Sequence, residues 1–217
     1  MAQTSFPADE LLDAVLAHGV GPPLRAAGFR KTGRNLHRRI GGTVQVVSVQ
    51  VSQAATRTEK EFFVNVGVAL DAVCQLAGLP VLDRVKEYEC DDRGTRSRLS
   101  ELLPGAAESW TVRAGQDPAD LAETLHRHMQ ALVSELDRID GPAAYRSHRW
   151  FDRFRPAQVN AQVLYLLGDL AGAFREVQGL ASLFADRQNA NRVDWWVGRL
   201  HLSRLVPFLS DPADLLS

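Results

Sequence analysis

The chain has 217 residues, a formal net charge of −1, and apolar and charged fractions of 45% and 24%, which argue against a disordered or fibrous protein. A charge this close to zero predicts no general attraction to nucleic acid or to anionic lipid. Two cysteines, Cys74 and Cys90, are too few for a disulfide framework or a four-ligand zinc site, so we expect reduced structural thiols.

Neither secretion nor membrane insertion is indicated by the hydropathy of the chain. The first residues lack a basic segment followed by an apolar one, and no window approaches 18 consecutive apolar residues. We therefore expect a cytoplasmic protein without membrane contact.

The N-terminal segment predicts helix. Pro7 to His18 carries an apolar stripe with acidic residues in its first turn, and the glycines and prolines from Gly19 to Pro23 are expected to interrupt it. A helical turn from Leu24 to Ala27 then ends at Gly28, a suitable C-cap.

The clearest hairpin signal is Gly41-Gly42 between Asn35–Ile40 and Thr43–Val51, because glycine accepts the positive φ of a two-residue turn. This turn sets Ile40 opposite Thr43, Arg38 opposite Gln45 and Leu36 opposite Val47. One face, with Leu36, Ile40, Val47 and Val49, should meet the helices. The other face is mixed, so we expect it to be half covered; it carries His37, Arg39, Val44, Val46, Ser48 and Gln50.

Two further strands are predicted. Phe62 to Leu70 alternates, with Phe62 on the more apolar face and Phe63 and Asn65 on the other, and Trp110 to Arg113 is short and β-prone. The charged link Cys90 to Gly105 is interpreted as loop with one helical turn.

The C-terminal half predicts helices. Asp117 is a good N-cap, an apolar stripe runs from Leu121 to Ile139, and Gly141-Pro142 ends this helix. Further helices are predicted over Pro156–Leu167, Leu170–Asp186 and Arg192–Val206.

The predicted fold is therefore α+β, with a small antiparallel sheet and an N-terminal helix, followed by an α-helical C-terminal half that contains a tetratricopeptide-like helix hairpin. We divide the chain into an α+β sheet domain over residues 1–115, a helical subdomain packed on it over 116–209, and a flexible tail over 210–217.

A dispersed pattern over roughly residues 11–113 resembles the bacterial family named domain of unknown function 4304. The resemblance implies an α+β fold, no agreed activity and no catalytic residues, and Leu36 stands where the family more often has an aromatic residue. It rests on the runs Ala26-Ala27-Gly28-Phe29-Arg30-Lys31, Gly33-Arg34-Asn35-Leu36-His37-Arg38, Val46-Val47-Ser48-Val49-Gln50 and Phe63-Val64-Asn65-Val66-Gly67-Val68, then Glu89-Cys90, Arg98-Leu99 and Leu102-Leu103.

A first candidate site is the basic hairpin, whose guanidinium groups could bind phosphate or an acidic partner. The interpretation we prefer is a solvated edge whose charges block unwanted strand pairing. The cations concerned are Arg30, Lys31, Arg34 and Arg39.

A second candidate is the pair of amides Gln50 and Asn65 inside apolar strands, which could line a ligand pocket with His37 and Ser48. The preferred interpretation is that the amides hydrogen-bond each other or a nearby loop.

A third candidate is Tyr145 to Arg155, where basic residues such as Arg149 and Arg153 interleave with aromatic ones, as in nucleic-acid or peptide contacts. On a helix, Trp150, Phe151 and Phe154 would share one face. We therefore prefer the interpretation that they form a packing face of a helix whose exterior is basic.

No catalytic or metal-binding motif is present, and His126 and His128, two apart on a helix, cannot chelate one ion. We therefore expect no cofactor and favour a non-enzymatic interaction module that binds a protein partner or an anionic ligand through a basic sheet face. Nucleic-acid binding through the hairpin and the Tyr145–Arg155 segment is the alternative. An enzyme with a pocket around His37, Gln50 and Asn65 is the second alternative.

Overall fold

The computed structural model describes residues 7–150 and 157–185. Its strands are β1 (Arg30–Thr32), β2 (Asn35–Ile40), β3 (Thr43–Val51), β4 (Glu59–Leu70), β5 (Gly94–Arg98) and β6 (Trp110–Arg113). Its helices are α1 (Ala8–Val15), α2 (Gly21–Ala26), α3 (Asp71–Ala77), α4 (Leu99–Leu102), α5 (Ala119–Leu136), α6 (Pro142–Ser147), α7 (Ala157–Leu166) and α8 (Leu170–Ala185). This is the predicted α+β arrangement.

The sheet has six strands in the order β1-β2-β3-β4-β5, with β6 pairing antiparallel to the first residues of β4. Strand β1 lies at the edge and pairs with β2, so that Arg30 is opposite His37 and Thr32 is opposite Asn35.

Strands β1 and β5 are absent from the sequence prediction. Strand β1 has only three residues, all of them exposed, so it carries no apolar alternation. The segment that contains β5 was predicted as loop with one helical turn. The helical turn is present as α4, but the loop prediction is wrong over β5. Gly94 lets β5 approach its neighbour closely, because a Cβ on Gly94 would lie 1.9 Å from the carbonyl oxygen of Val68.

The predicted hairpin register is confirmed. The backbone N–H of Val49 donates to the carbonyl oxygen of Arg34 at 3.0 Å, which places these residues opposite each other. Arg38 Nε donates to Gln45 Oε1 at 2.8 Å, as expected for side chains that face each other across β2 and β3.

The Gly41-Gly42 corner is fixed by backbone contacts distant in sequence. The N–H of Gly42 donates to the carbonyl oxygen of Asp140 at 2.7 Å, and its carbonyl oxygen accepts from the N–H of Asp71 at 2.9 Å. Gly41 has a φ of +51°, and a Cβ there would lie 2.4 Å from the Asp140 oxygen. Glycine is therefore required at position 41 both by conformation and by space.

The N-terminal helix is not interrupted as predicted, because a π-helical turn (Leu16–Val20) connects α1 to α2. Pro22 and Pro23 lack N–H groups and would crowd the preceding turn of a regular helix. A wider π turn relieves this crowding and places both prolines in the first turn of α2.

The long helix α5 begins at Ala119 with Pro118 at the N-cap, one residue later than predicted. The predicted acceptor is nevertheless in use, since Asp117 Oδ1 accepts from the N–H of Ala119 at 2.9 Å. Its buried residues follow the predicted stripe, but it ends at Leu136, so the predicted end at Gly141-Pro142 is wrong. A tighter turn follows, in which the N–H of Arg138 donates to the carbonyl oxygen of Glu135 at 3.2 Å. The hairpin of α7 and α8 turns at Gly168, whose φ is +80°. The predicted helix Arg192–Val206 lies outside the described residues.

The described residues divide into two compact units, with residues 7–38, 45–67 and 97–138 in one and residues 39–44, 68–96, 139–150 and 157–185 in the other. In the first unit, α5 packs against α1, the π turn and α2, and its buried residues include Leu125, Met129 and Leu132. In the second, α7 packs against α3, α6 and α8. The division that we predicted at residue 115 and the tail over 210–217 stay predictions.

Of the helices within residues 7–150 and 157–185, none combines the length and the apolar character that crossing a bilayer requires.

We expect Gly41→Ala to lower the free energy of unfolding by roughly 2–4 kcal/mol, because it adds a left-handed-backbone penalty to a clash with Asp140. Gly42→Ala is the matched control, since a Cβ there would meet the same oxygen at 3.7 Å, an ordinary contact. Urea unfolding of both variants checks this, and equal stabilities would contradict the assignment of the corner.

Candidate functional site

Polar side chains from neighbouring strands share one face of the sheet. Arg30 lies opposite His37, and the confirmed register places Ser48 and Gln50 on the same face as His37. Asn65 Nδ2 donates to Gln50 Oε1 at 3.0 Å, which brings β4 to this face as well. We name these residues the polar row; they are Arg30, His37, Ser48, Gln50 and Asn65.

The polar row contains both buried and exposed side chains. His37 and Asn65 are 8% and 3% exposed, whereas Arg30 and Gln50 are exposed. Val44 and Val46 on the same face are also buried, so this face is more covered than the predicted half coverage.

The hydrogen bond between Asn65 and Gln50 confirms the preferred interpretation of the two amides. A buried amide without a partner costs about 1–3 kcal/mol, and each of these amides satisfies part of the other's requirement. Gln50 and Asn65 are therefore brought together as predicted, and part of their hydrogen-bonding capacity is used within the protein.

The polar row continues to β5 through Phe63 and Arg98, which the sequence analysis missed. Phe63 lies two residues from Asn65 on the same face, and the Arg98 guanidinium stacks on its ring at 4.1 Å from the centroid. From sequence, Phe63 was placed on the less apolar face of its strand and Arg98 in the charged link, without a connection between them. The sequence signal that could have found the pair is Phe63 falling on the less apolar face of its strand.

Exposed cations concentrate on β1 and the turn that follows it. Arg30, Lys31 and Arg34 are exposed, and no described carboxylate lies within 4.0 Å of them. We name these three residues the cationic edge. Two of the three lie on the edge strand β1, and Arg34 lies in the turn between β1 and β2.

Other cations of the sheet are paired within the protein. Lys60 binds Asp9 at 3.1 Å and Arg113 binds Glu59 at 3.1 Å. Arg39, which we predicted as a binding residue together with the cationic edge, forms an ion pair with Asp71 and donates to the carbonyl oxygen of Leu82 at 2.9 Å. The cationic edge is therefore chemically distinct from the rest of the basic hairpin.

Arg38 is a buried structural cation that the sequence analysis did not single out. It is 9% exposed, and it binds Asp137 at 2.7 Å and donates to the carbonyl oxygen of Ala27 at 3.1 Å in addition to Gln45. Its guanidinium also lies over the Phe29 ring at 4.7 Å from the centroid. Arg38 thus connects β2 and β3 to α2 and to the end of α5.

The Tyr145–Arg155 segment is described only as far as Trp150. Helix α6 ends at Ser147, and His148 has extended backbone, so the segment is not one continuous helix. Tyr145 and Trp150 are buried, whereas Arg149 is exposed. Phe151, Phe154 and Arg153 lie outside the described residues.

The thiols are buried. Burial raises the pKa of both Cys74 and Cys90, so neither is a ready nucleophile. Among residues 7–150 and 157–185, no three histidine, cysteine or acidic residues are grouped so as to hold a metal ion.

The fold and the surface define a class, namely an α+β protein whose antiparallel sheet carries a polar row that ends in a cationic edge. The model of the family Domain of unknown function (DUF4304) matches residues 20–156, more than half of the chain, so the protein belongs to this family. No curated protein and no solved structure matches the chain.

The family region confirms the resemblance found in the sequence and extends it into the helical half. It begins within the π turn and runs past α5 and α6, whereas the sequence pattern was followed only to residue 113. The polar row, Phe63, Arg98 and the cationic edge all lie within it.

We expect Arg38→Ala to lower the free energy of unfolding by about 2–4 kcal/mol, because it removes the hydrogen bonds to Gln45 and to the Ala27 carbonyl and breaks a partly buried ion pair. Arg57→Ala, at an exposed position outside these contacts, should change it by less than about 0.5 kcal/mol. Chemical denaturation compares the two, and a loss for Arg38→Ala as small as that of the control would show that its contacts do not stabilise the fold.

Stability should fall in alkaline solution. Burial raises the pKa of Tyr145 to about 12, partly offset by a hydrogen bond with Thr95, whereas an unfolded tyrosine titrates near pH 10. Above about pH 10 the unfolded chain loses the tyrosine proton, whereas the folded protein retains it. The stability that the neutral Tyr145 phenol contributes is therefore lost between about pH 10 and 12.

Tyr145→Phe should therefore show a smaller loss of stability than the wild type between pH 10 and 11.5. Tyr88→Phe, at an exposed position, should follow the wild type. Urea midpoints measured across this range test the assignment, which fails if the three proteins lose stability in parallel.

Proposed function

We propose that the protein is a non-enzymatic interaction module that binds an acidic segment of a protein partner through the cationic edge. The observation that carries this proposal is the exposure of Arg30 and Lys31 on the edge strand and of Arg34 in the turn that follows it, all without a described carboxylate partner. Guanidinium groups favour carboxylates, because their fork of donors matches both carboxylate oxygens.

Recognition through side chains is favoured over addition of a partner strand to β1. The two-residue turn Gly33-Arg34 makes Thr32 and Asn35 a hydrogen-bonded pair, so in β1 only Lys31 directs its backbone groups away from β2. The N–H of Phe29, next in line along this edge, already donates to the Leu24 carbonyl oxygen at 2.9 Å. The edge therefore offers too few free backbone groups for a stable extra strand.

A protein partner is favoured over nucleic acid. Three edge cations on a chain of net charge −1 would neutralise few phosphates, whereas nucleic-acid binders commonly contact roughly 6–10. Phe63 could stack on a base only if Arg98 left its ring.

An enzymatic pocket at His37, Gln50 and Asn65 is less well supported. The two amides bind each other, and His37 and Asn65 are buried beneath this face. A substrate would have to displace an existing hydrogen bond to reach them.

A cytoplasmic location is part of the proposal. It is supported by the two buried free thiols, since reduced cysteines are usual in cytoplasmic proteins and disulfides are usual in secreted ones.

The test is fluorescence anisotropy with a labelled glutamate-rich peptide, using the wild type and the triple variant Arg30→Glu/Lys31→Glu/Arg34→Glu. We expect the triple variant to bind about tenfold more weakly or worse, because three exposed ion pairs worth up to about 1 kcal/mol each are replaced by repulsion. The affinity of the wild type should also fall with added salt.

The matched control is Arg57→Glu/Arg84→Glu/Arg127→Glu, which changes the net charge equally at exposed positions outside the cationic edge. It should retain most of the wild-type affinity. Equal binding by both triple variants would refute the proposed surface. A labelled single-stranded oligonucleotide that binds at least tenfold more tightly than the peptide would favour the nucleic-acid function instead.

A further inference from the structure

A cleft opens between the N-terminal helices and the first turns of α5. Its volume is about 470 Å³, within the range of roughly 300–1,000 Å³ typical of small-molecule sites. Its lining is mainly apolar, with two imidazoles and one carboxylate; the residues are Ala14, His18, Pro118, Ala119, Ala122, Glu123 and His126.

The π turn gives the cleft its form. Gly19 lies so close to α5 that a Cβ there would be 2.7 Å from the carbonyl oxygen of Ala122. His18, beside it in the π turn, lines the cleft. π-Helical turns inside α-helices occur frequently at functional sites, because they displace one residue from the regular helical face.

The hydrogen bonds of the two histidines determine what the cleft offers a ligand. His18 Nδ1 lies 2.8 Å from the carbonyl oxygen of Ala14, and His126 Nδ1 lies 3.5 Å from that of His18. A carbonyl oxygen only accepts, so the neutral tautomer that forms these hydrogen bonds carries its proton on Nδ1. Both Nε2 atoms are then acceptors.

The polar side chains that line the cleft are thus acceptors alone when the imidazoles are neutral. Two Nε2 atoms and the Glu123 carboxylate can accept hydrogen bonds, and the other lining side chains, from Ala14, Pro118, Ala119 and Ala122, have no donors. A primary ammonium group complements this set, since it has three donors, no acceptor and a charge opposite to that of the carboxylate. A carboxylate or phosphate ligand would be repelled by Glu123.

We propose that this cleft binds a small molecule with one primary ammonium group on an apolar body. The ammonium donates to Glu123 and to the Nε2 atoms of His18 and His126, and the apolar body contacts the alanines and Pro118. This site is independent of the cationic edge, so neither proposal rests on the other.

The probe is 2-phenylethylamine at pH 8, where the amine is charged and most imidazoles are neutral. Its binding is measured by titration calorimetry and by NMR of ¹³C-labelled alanine methyl groups. We expect saturable shifts at Ala14, Ala119 and Ala122. The matched ligands 2-phenylethanol and 3-phenylpropanoate should bind at least about tenfold more weakly, because each lacks the ammonium donors.

Two variants locate the site. Glu123→Gln should weaken amine binding about tenfold or more, while Asp92→Asn, at an exposed carboxylate outside the cleft, should leave it unchanged. Ala119→Leu should abolish binding by filling the cleft at an exposed helical position that tolerates leucine. The proposal is overturned if the amine does not bind, if the alcohol or the carboxylate binds as well, or if Glu123→Gln binds like the wild type.

Discussion

The hydrogen bonds at Gly42 are the constraint from which the arrangement of the hairpin follows. Gly42 donates to Asp140 and accepts from Asp71, so residues far apart in the chain meet at one turn. The turn fixes the register of β2 and β3, and a register shift by one residue would exchange the two faces of each strand. Because this corner lies at residues 41 and 42, the Arg38 side chain contacts α2 and the end of α5, and His37 lies on the opposite face, in the polar row.

The basic character of the hairpin separates into two physical roles. Arg38 and Arg39 are engaged by carboxylates and backbone carbonyls, so their charges serve the fold. Arg30 and Lys31 are exposed on a three-residue edge strand, and Arg34 is exposed in the turn after it. Cations there discourage unwanted strand pairing, and the same unpaired charges are what an acidic partner would recognise. Protection of the edge and binding are thus compatible uses of one surface.

The cationic edge and the cleft are complementary to opposite charges. The edge is a donor surface within the family region, whereas the cleft presents acceptors and includes Ala14 and His18, which precede that region. The sequence excluded His126 and His128 as ligands of one metal ion, because the two side chains lie on different sides of the helix. The partner of His126 in the cleft is instead His18, which the π turn brings from 108 residues away.

The sequence alone determined the features whose causes are local: the Gly-Gly turn and its register, the N-terminal acceptor and apolar stripe of α5, the α7–α8 joint, and the α+β class. Tertiary structure decided the features that depend on partners distant in the chain. Strands β1 and β5 exist because their neighbours supply hydrogen bonds, since neither has an apolar alternation of its own. Helix packing decides which arginines are buried and which histidines line the cleft. The local sequence pattern contains no signal for this packing. The sequence does not distinguish a charged side chain that forms an ion pair from one that stays unpaired, because ion pairing and desolvation depend on neighbours in space.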